Sequence, residues 1–126
     1  MKKNSEYLNQ FFENASTGIY HTLFENSNDA ILIYRNNEII KYNRKAADLF
    51  GFSRESQFYP LSSIFPDLQP DGSHSVTKSH HLIQRVLKGE SMILDWVHKK
   101  LNGEEFYSEV SLNRLDIGIK GCFRQL

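Results

Sequence analysis

Leu23 to Gly51 reads LFENSNDAILIYRNNEIIKYNRKAADLFG, and this stretch decides the fold. Ala30 to Tyr34 is an unbroken apolar run of strand length. Asn36-Asn37 follows, a pair that tolerates positive φ and suits a tight hairpin. Glu38 to Tyr42 is the return strand. Asn43 is placed to cap the next helix, Ala46, Ala47, Leu49 and Phe50 give that helix an apolar face, and Gly51 ends it. A short helix, a hairpin and a second short helix are thus encoded in register.

Working outward, the amino-terminal side carries Tyr7, Leu8, Phe11, Phe12 and Ala15 at helical spacing, one apolar stripe interrupted by Ser16-Thr17-Gly18. Ile19, Tyr20, Leu23 and Phe24 resume it. FFENASTGI at 11–19 is echoed by LFENSNDAI at 23–31, which reads as two similar amphipathic turns or as the remnant of a second, tandem start of the same kind. On the other side, Gly51 leads into a loop-rich stretch. Ser53 is a candidate cap there, Leu61 to Phe65 form a helical turn, and Pro60, Pro66 and Pro70 punctuate. Ser73 or Ser75 is placed to cap the longest helix, which ends at Gly89, with Val76, Ile83 and Leu87 as its apolar stripe and Leu82 and Val86 beside it.

Three strands are predicted after that helix. Met92 to Leu101 is the first, Asn102-Gly103 is the strongest hairpin signal of the chain, and Glu105 to Ile117 is the second. Val110 and Leu112 share one face, while Leu115 and Ile117 fall on the other parity, and a bulge near Asn113-Arg114 would reconcile them. A turn over Gly118–Gly121 then leads into Cys122 to Leu126.

Both blocks resemble a PAS domain, a sensory module of bacterial signalling proteins. The resemblance rests on Leu23-Phe24-Glu25-Asn26-Ser27, Asp29-Ala30-Ile31, Tyr42-Asn43, Ala46-Ala47 and Leu49-Phe50-Gly51. It then resumes at Trp96, Leu101 to Phe106, Glu109 to Leu112 and Asp116-Ile117-Gly118. It implies an α+β fold: a five-stranded antiparallel sheet in the order 2-1-5-4-3, helices on one face, and an amino-terminal flanking helix. Residues 1–22 are then a linker helix and residues 23–126 the PAS domain, truncated within its last strand. The cavity between sheet and helices is expected to be lined by Ile33, Leu49, Phe52, Ile64, His80, Ile83 and Val110.

Composition bounds the function. With 126 residues the chain holds one domain, and 40% hydrophobic residues, including nine Phe and six Tyr, supply a packed core. Lysine plus arginine equals aspartate plus glutamate, which argues against a nucleic-acid surface. A single cysteine rules out an intramolecular disulfide and fits a reducing, cytoplasmic setting. No signal peptide follows Met1-Lys2-Lys3, and no stretch has the length of a membrane span.

The chemistry-bearing residues are few. His74 and His81 share a helix face but stand seven residues apart, roughly 10 Å along the axis, too far for one metal ion. His80 falls in the Val76–Ile83–Leu87 stripe and faces the expected cavity. Some PAS domains hold haem through a histidine on this helix, but a lone histidine is a weak signal. His98 and His21 are expected on the surface. Flavin-binding photosensory relatives need a cysteine near residues 57–66, and that stretch has none, which argues against a covalent flavin adduct. There is no glycine-rich phosphate loop and no context for an activated nucleophile, so the chain is not expected to be an enzyme. Trp96 lies on a strand with apolar residues on both faces; one face covers the core, and the other meets the amino-terminal helix or a second subunit.

The resemblance implies a cytoplasmic sensory module, its output a histidine kinase or a cyclic-dinucleotide enzyme outside this chain. A small ligand in the cavity would reorganise the sheet and pass the change through flanking helices to a homodimer joined through Tyr7, Leu8, Phe11, Phe12 and Ala15. The alternatives are a ligand-free dimerisation module and a haem sensor through His80.

Overall fold

The computed structural model describes residues 18–53 and 58–126. Helix α1 covers residues 18–25, α2 Arg44–Phe50 and α3 Ser75–Leu87, with a 3-10 turn at Leu61–Ile64. The strands are β1 Ala30–Arg35, β2 Glu38–Tyr42, β3 Tyr59–Pro60, β4 Met92–Lys99, β5 Glu105–Leu115 and β6 Gly118–Gln125. They form one antiparallel sheet in the order β3-β2-β1-β6-β5-β4. Set aside the two-residue β3 and the order is the expected 2-1-5-4-3; the sixth strand is a short addition beside β2.

Local chemistry explains the opening. Asn36 and Asn37 both take positive φ, 52° and 64°, the conformation a two-residue type I′ turn requires. The β1–β2 register shifts between Ile33 and Tyr34, leaving Ile40 as the extra residue of a bulge. Asn43 caps α2 by accepting from Ala46 N–H at 2.9 Å, and Gly51 ends the helix in the left-handed region at φ 84°.

Asn43 does more than cap. Its Oδ1 also accepts the Ile31 N–H at 3.0 Å, and its Nδ2 donates to the carbonyls of Phe24 at 2.9 Å and Asp29 at 3.0 Å. One fully buried amide therefore ties α1, β1 and α2 together with every donor and acceptor engaged.

Three local expectations are corrected. β5 carries no bulge at Asn113-Arg114; its register against β6 runs unbroken from Ser108 to Leu115. The parity conflict is resolved by exposure instead: Leu115 is half-buried on the outer face and Ile117 sits exposed in the turn. That turn is Asp116–Ile117, with Leu115 paired to Gly118, so β6 begins four residues before the expected Cys122. Gly118 is needed there because a Cβ would stand 2.4 Å from the Tyr34 carbonyl oxygen. Finally, neither Ser73 nor Ser75 caps α3: the cap is His74, without a side-chain bond, and the buried Ser75 hydroxyl accepts from Gln69 Nε2 at 2.9 Å.

The core lies between the sheet and the helices. Phe50 is fully buried at its centre, with Phe52, Phe106, Phe123 and His98 each within 6 Å between ring centroids. The Asn102-Gly103 signal forms a three-residue loop, with Gly103 at φ 93° and Lys100 N–H bonded to the Glu104 carbonyl at 2.8 Å. Leu101 N–H then donates to the Phe50 carbonyl at 2.9 Å, which fastens this loop to the end of α2. No helix among the described residues is long and apolar enough to cross a membrane.

Candidate functional site

The inner face of the sheet is set by alternation. On β5, Phe106, Ser108, Val110 and Leu112 are buried while their neighbours are not. On β4 the same parity turns Leu94, Trp96 and His98 inward. α3 meets this face with Ser75, Ser79, Leu82, Ile83 and Val86, spaced three and four apart. Val76 and Leu87 are 58% and 42% exposed. The helix is thus rotated by about one residue, roughly 100°, from the expected Val76–Ile83–Leu87 phase.

Between α3, the Leu61–Ile64 turn and the sheet lies a cavity of about 30 Å³. The helical side contributes Leu61, Ile64, Phe65, Ser79, Leu82 and Ile83. The sheet contributes Tyr34, Leu94, Trp96, His98, Val110, Leu112 and Phe123. Of the seven residues expected to line it, Ile64, Ile83 and Val110 are on its wall.

The other four lie elsewhere, each for a physical reason. Ile33 alternates with the buried Leu32 and Tyr34 and so points to the outer face. Leu49 packs half-buried against the core from α2. Phe52 is buried in the core beside Phe50, stacked on Tyr59 at 4.5 Å and tilted against Tyr42 at 4.8 Å, and is not on the cavity wall. His80 is carried outward by the rotation of α3 and borders surface grooves beside Asn37. The expected interface residues Tyr7, Leu8, Phe11, Phe12 and Ala15 lie outside the described residues.

His98 overturns its surface assignment. It is 1% exposed and enclosed by aromatic rings, with Phe123 at 4.9 Å, Phe50 at 5.5 Å, Phe106 at 5.7 Å and Phe65 at 6.0 Å. Its Nδ1 lies 2.6 Å from Ser108 Oγ, which in turn donates to the Trp96 carbonyl at 3.2 Å. Burial pulls its pKa down to about 3, so the imidazole is neutral at physiological pH. Burial likewise pushes the Tyr34 phenol well above its ordinary range. The sequence signal for His98 was its parity with Leu94 and Trp96; for Tyr34 it was parity with Leu32.

The wall therefore holds no charge. Its polar groups are the Tyr34 phenol, the Ser79 hydroxyl, the His98 imidazole and the Trp96 indole. The Ser79 hydroxyl donates to the Val76 carbonyl at 2.8 Å. Trp96 Nε1 is buried without a hydrogen-bond partner.

Among the described residues no group of three or more His, Cys, Asp or Glu is placed to hold a metal. Cys122 alternates with the buried Gly121 and Phe123, so it faces away from the cavity; burial raises its thiol pKa.

The fold is shared with solved PAS domains. One, from a LuxR-family transcriptional regulator of Burkholderia thailandensis in complex with ethanol, is 20% identical with a TM-score of 0.65, covering 85% of this chain and 96% of that one. A PAS domain from a two-component sensor histidine kinase is 17% identical with a TM-score of 0.65, covering 90% and 99%. A domain of the sensory box sensor histidine kinase/response regulator from Geobacter sulfurreducens is 21% identical with a TM-score of 0.65, covering 86% and 93%. At these identities the likeness is one of fold. Among curated proteins none matches the sequence with significance. The family model of the PAS domain matches residues 18–81, just over half of the chain. With that match joined to the strand order and the α3-covered cavity, the chain belongs to the PAS domain family.

Proposed function

We propose that this domain is a regulatory input module of a signal-transduction protein, with the cavity beneath α3 as its ligand site. The observation that carries the reading is the uncharged cavity between α3 and the central strands, lined from both layers. An occupant that fits one arrangement of these layers better than another biases the sheet; a tenfold preference is worth about 1.4 kcal/mol, enough to tip a nearly balanced pair of states. The change leaves through the flanking helical segment toward an output domain outside this chain.

The kinase-associated relatives favour a histidine kinase output; a cyclic-dinucleotide enzyme is the second candidate, on the family resemblance alone. The ethanol complex of the Burkholderia relative supports a small occupant. The apolar stripe Tyr7–Ala15 supports a homodimer, and the single Cys122 suits a reducing cytoplasm.

Native mass spectrometry of the purified chain tests this reading. Extra mass that leaves on denaturation supports a sensor, and a Ser79→Val variant should then bind the same molecule more weakly. A bare dimer favours a ligand-free interaction module, the second reading, which the small cavity volume of about 30 Å³ supports.

A further inference from the structure

Tyr34 carries a polar group that the fold leaves unused. The side chain is 5% exposed, yet its phenol hydroxyl has no hydrogen-bond partner among the described residues. Among those residues, the side-chain atom sealed from solvent without a partner is Trp96 Nε1 alone. The Tyr34 oxygen is therefore unpaired but not sealed: it borders open space. Holding a hydroxyl from water with no partner costs roughly 1–3 kcal/mol, a cost that phenylalanine at this place would not incur.

That space lies on the inner side of the sheet. Tyr34 alternates with Ile33 and Arg35 and turns inward. Its ring runs beside Gly121, with Cε1 3.4 Å from where a Cβ would stand, and the Phe123 ring borders the same gap. Both rings are on the cavity wall. Tyr34 and Ile83 border a surface groove of about 200 Å³ as well, beside Asn37, His80 and Gln84, so these two side chains stand between the cavity and the outside.

Chemistry and size limit the occupant. Burial keeps the phenol protonated, so it has a proton to offer an acceptor. No charged side chain lines the cavity, and an ion there would shed its hydration uncompensated. A volume of about 30 Å³ exceeds what one water needs, roughly 10–15 Å³.

Resting on the reading of this cavity as a ligand site, we propose that Tyr34 Oη–H is its polar anchor, donating to the oxygen of an uncharged molecule of about two to four non-hydrogen atoms. A short ketone, aldehyde or alcohol meets the description.

The test uses the chain labelled with [¹³Cζ]tyrosine and with ¹³C-methyl isoleucine and valine. Of the six tyrosine Cζ peaks, the one lost in Tyr34→Phe belongs to Tyr34. Acetone should move that peak together with the Ile83 and Val110 methyl peaks, saturably, and acetate at equal ionic strength should not. In Tyr34→Phe, acetone affinity read on the methyl groups should fall about tenfold, the worth of one hydrogen bond. Xenon, which fills apolar space and accepts no hydrogen bond, should bind both proteins alike.

Acetate acting as well as acetone overturns the proposal. So does a folded Tyr34→Phe that holds acetone unchanged, or a Tyr34 Cζ peak that moves without the Val110 methyl, which would turn the hydroxyl to the groove. Should the variant not fold, the wild-type titration decides, with the Tyr34 peak then assigned through its neighbours. Methyl groups that answer xenon beside a Tyr34 peak that acetone leaves still defeat this inference and keep the cavity open as a sensor site. Silence to both probes, with a bare mass by native mass spectrometry, defeats both.

Discussion

The side-chain amide of Gln69 is hydrogen-bonded to both backbone groups of Val97, accepting its N–H at 2.9 Å and donating to its carbonyl at 3.0 Å. β4 is an edge strand, and its outward backbone groups would otherwise lack a ladder partner. Gln69 supplies the equivalent of one strand residue from the loop before α3, and also donates to Ser75 at 2.9 Å. Gln69→Leu keeps the volume but leaves the buried Val97 groups unpaired, so stability should fall by roughly 2–4 kcal/mol. Urea denaturation measures this; a loss below about 0.5 kcal/mol would mean that water replaces the amide without cost.

Asn43 distinguishes a cap from a hub. As a helix cap alone, aspartate would serve as well as asparagine. Here Nδ2 must also donate to the Phe24 and Asp29 carbonyls, which a carboxylate cannot do. Asn43→Asp at neutral pH should therefore destabilise by roughly 2–4 kcal/mol, about as much as Asn43→Ala. A nearly neutral Asn43→Asp in thermal unfolding would reduce the residue to a cap.

His98 should make the fold acid-sensitive. Its folded pKa of about 3 lies below the ordinary value of 6.5. Between those two values the unfolded chain binds a proton that the folded chain excludes. The stabilisation is thus complete above pH 6.5 and is lost as pH falls toward 3, by at most about 1.4 kcal/mol per pH unit. His98→Leu should flatten that slope in urea midpoints measured from pH 7 to pH 4. Parallel losses in both proteins would assign the acid sensitivity to other groups.

Gly121 is held small by its neighbours. A Cβ there would stand 2.8 Å from Phe123 Cζ and 3.4 Å from Tyr34 Cε1. Gly121→Ala must push the Phe123 ring, one wall of the cavity, and should cost roughly 1–3 kcal/mol. Differential scanning calorimetry reads the loss, and an unchanged melting temperature would show that the ring yields freely.

What was legible in the sequence was local. Asn36-Asn37 announced its turn because positive φ is a property of those residues themselves. Asn43 and Gly51 bounded α2 for the same reason. The site was harder to read because it depends on the phase of elements. On α3, two serines, Ser75 and Ser79, occupy the inward face where apolar residues were sought. On β4, a polar type hid the inward parity of His98, which only its aromatic enclosure explains. Gln69 gave no signal, since its partner Val97 lies 28 residues away and the bond exists only once the edge strand is in place.

The central pair of strands has a mechanical consequence. β1 and β6 run antiparallel with Ala30 opposite Phe123, so the first strand starts beside the point where the last one finishes. A pull applied through the segments flanking these strands loads one end of the ladder and opens its bonds in succession, zipper-fashion, instead of shearing them together. The same geometry sets the two flanking segments on a common lever: whatever tilts β1 against β6 moves both at once.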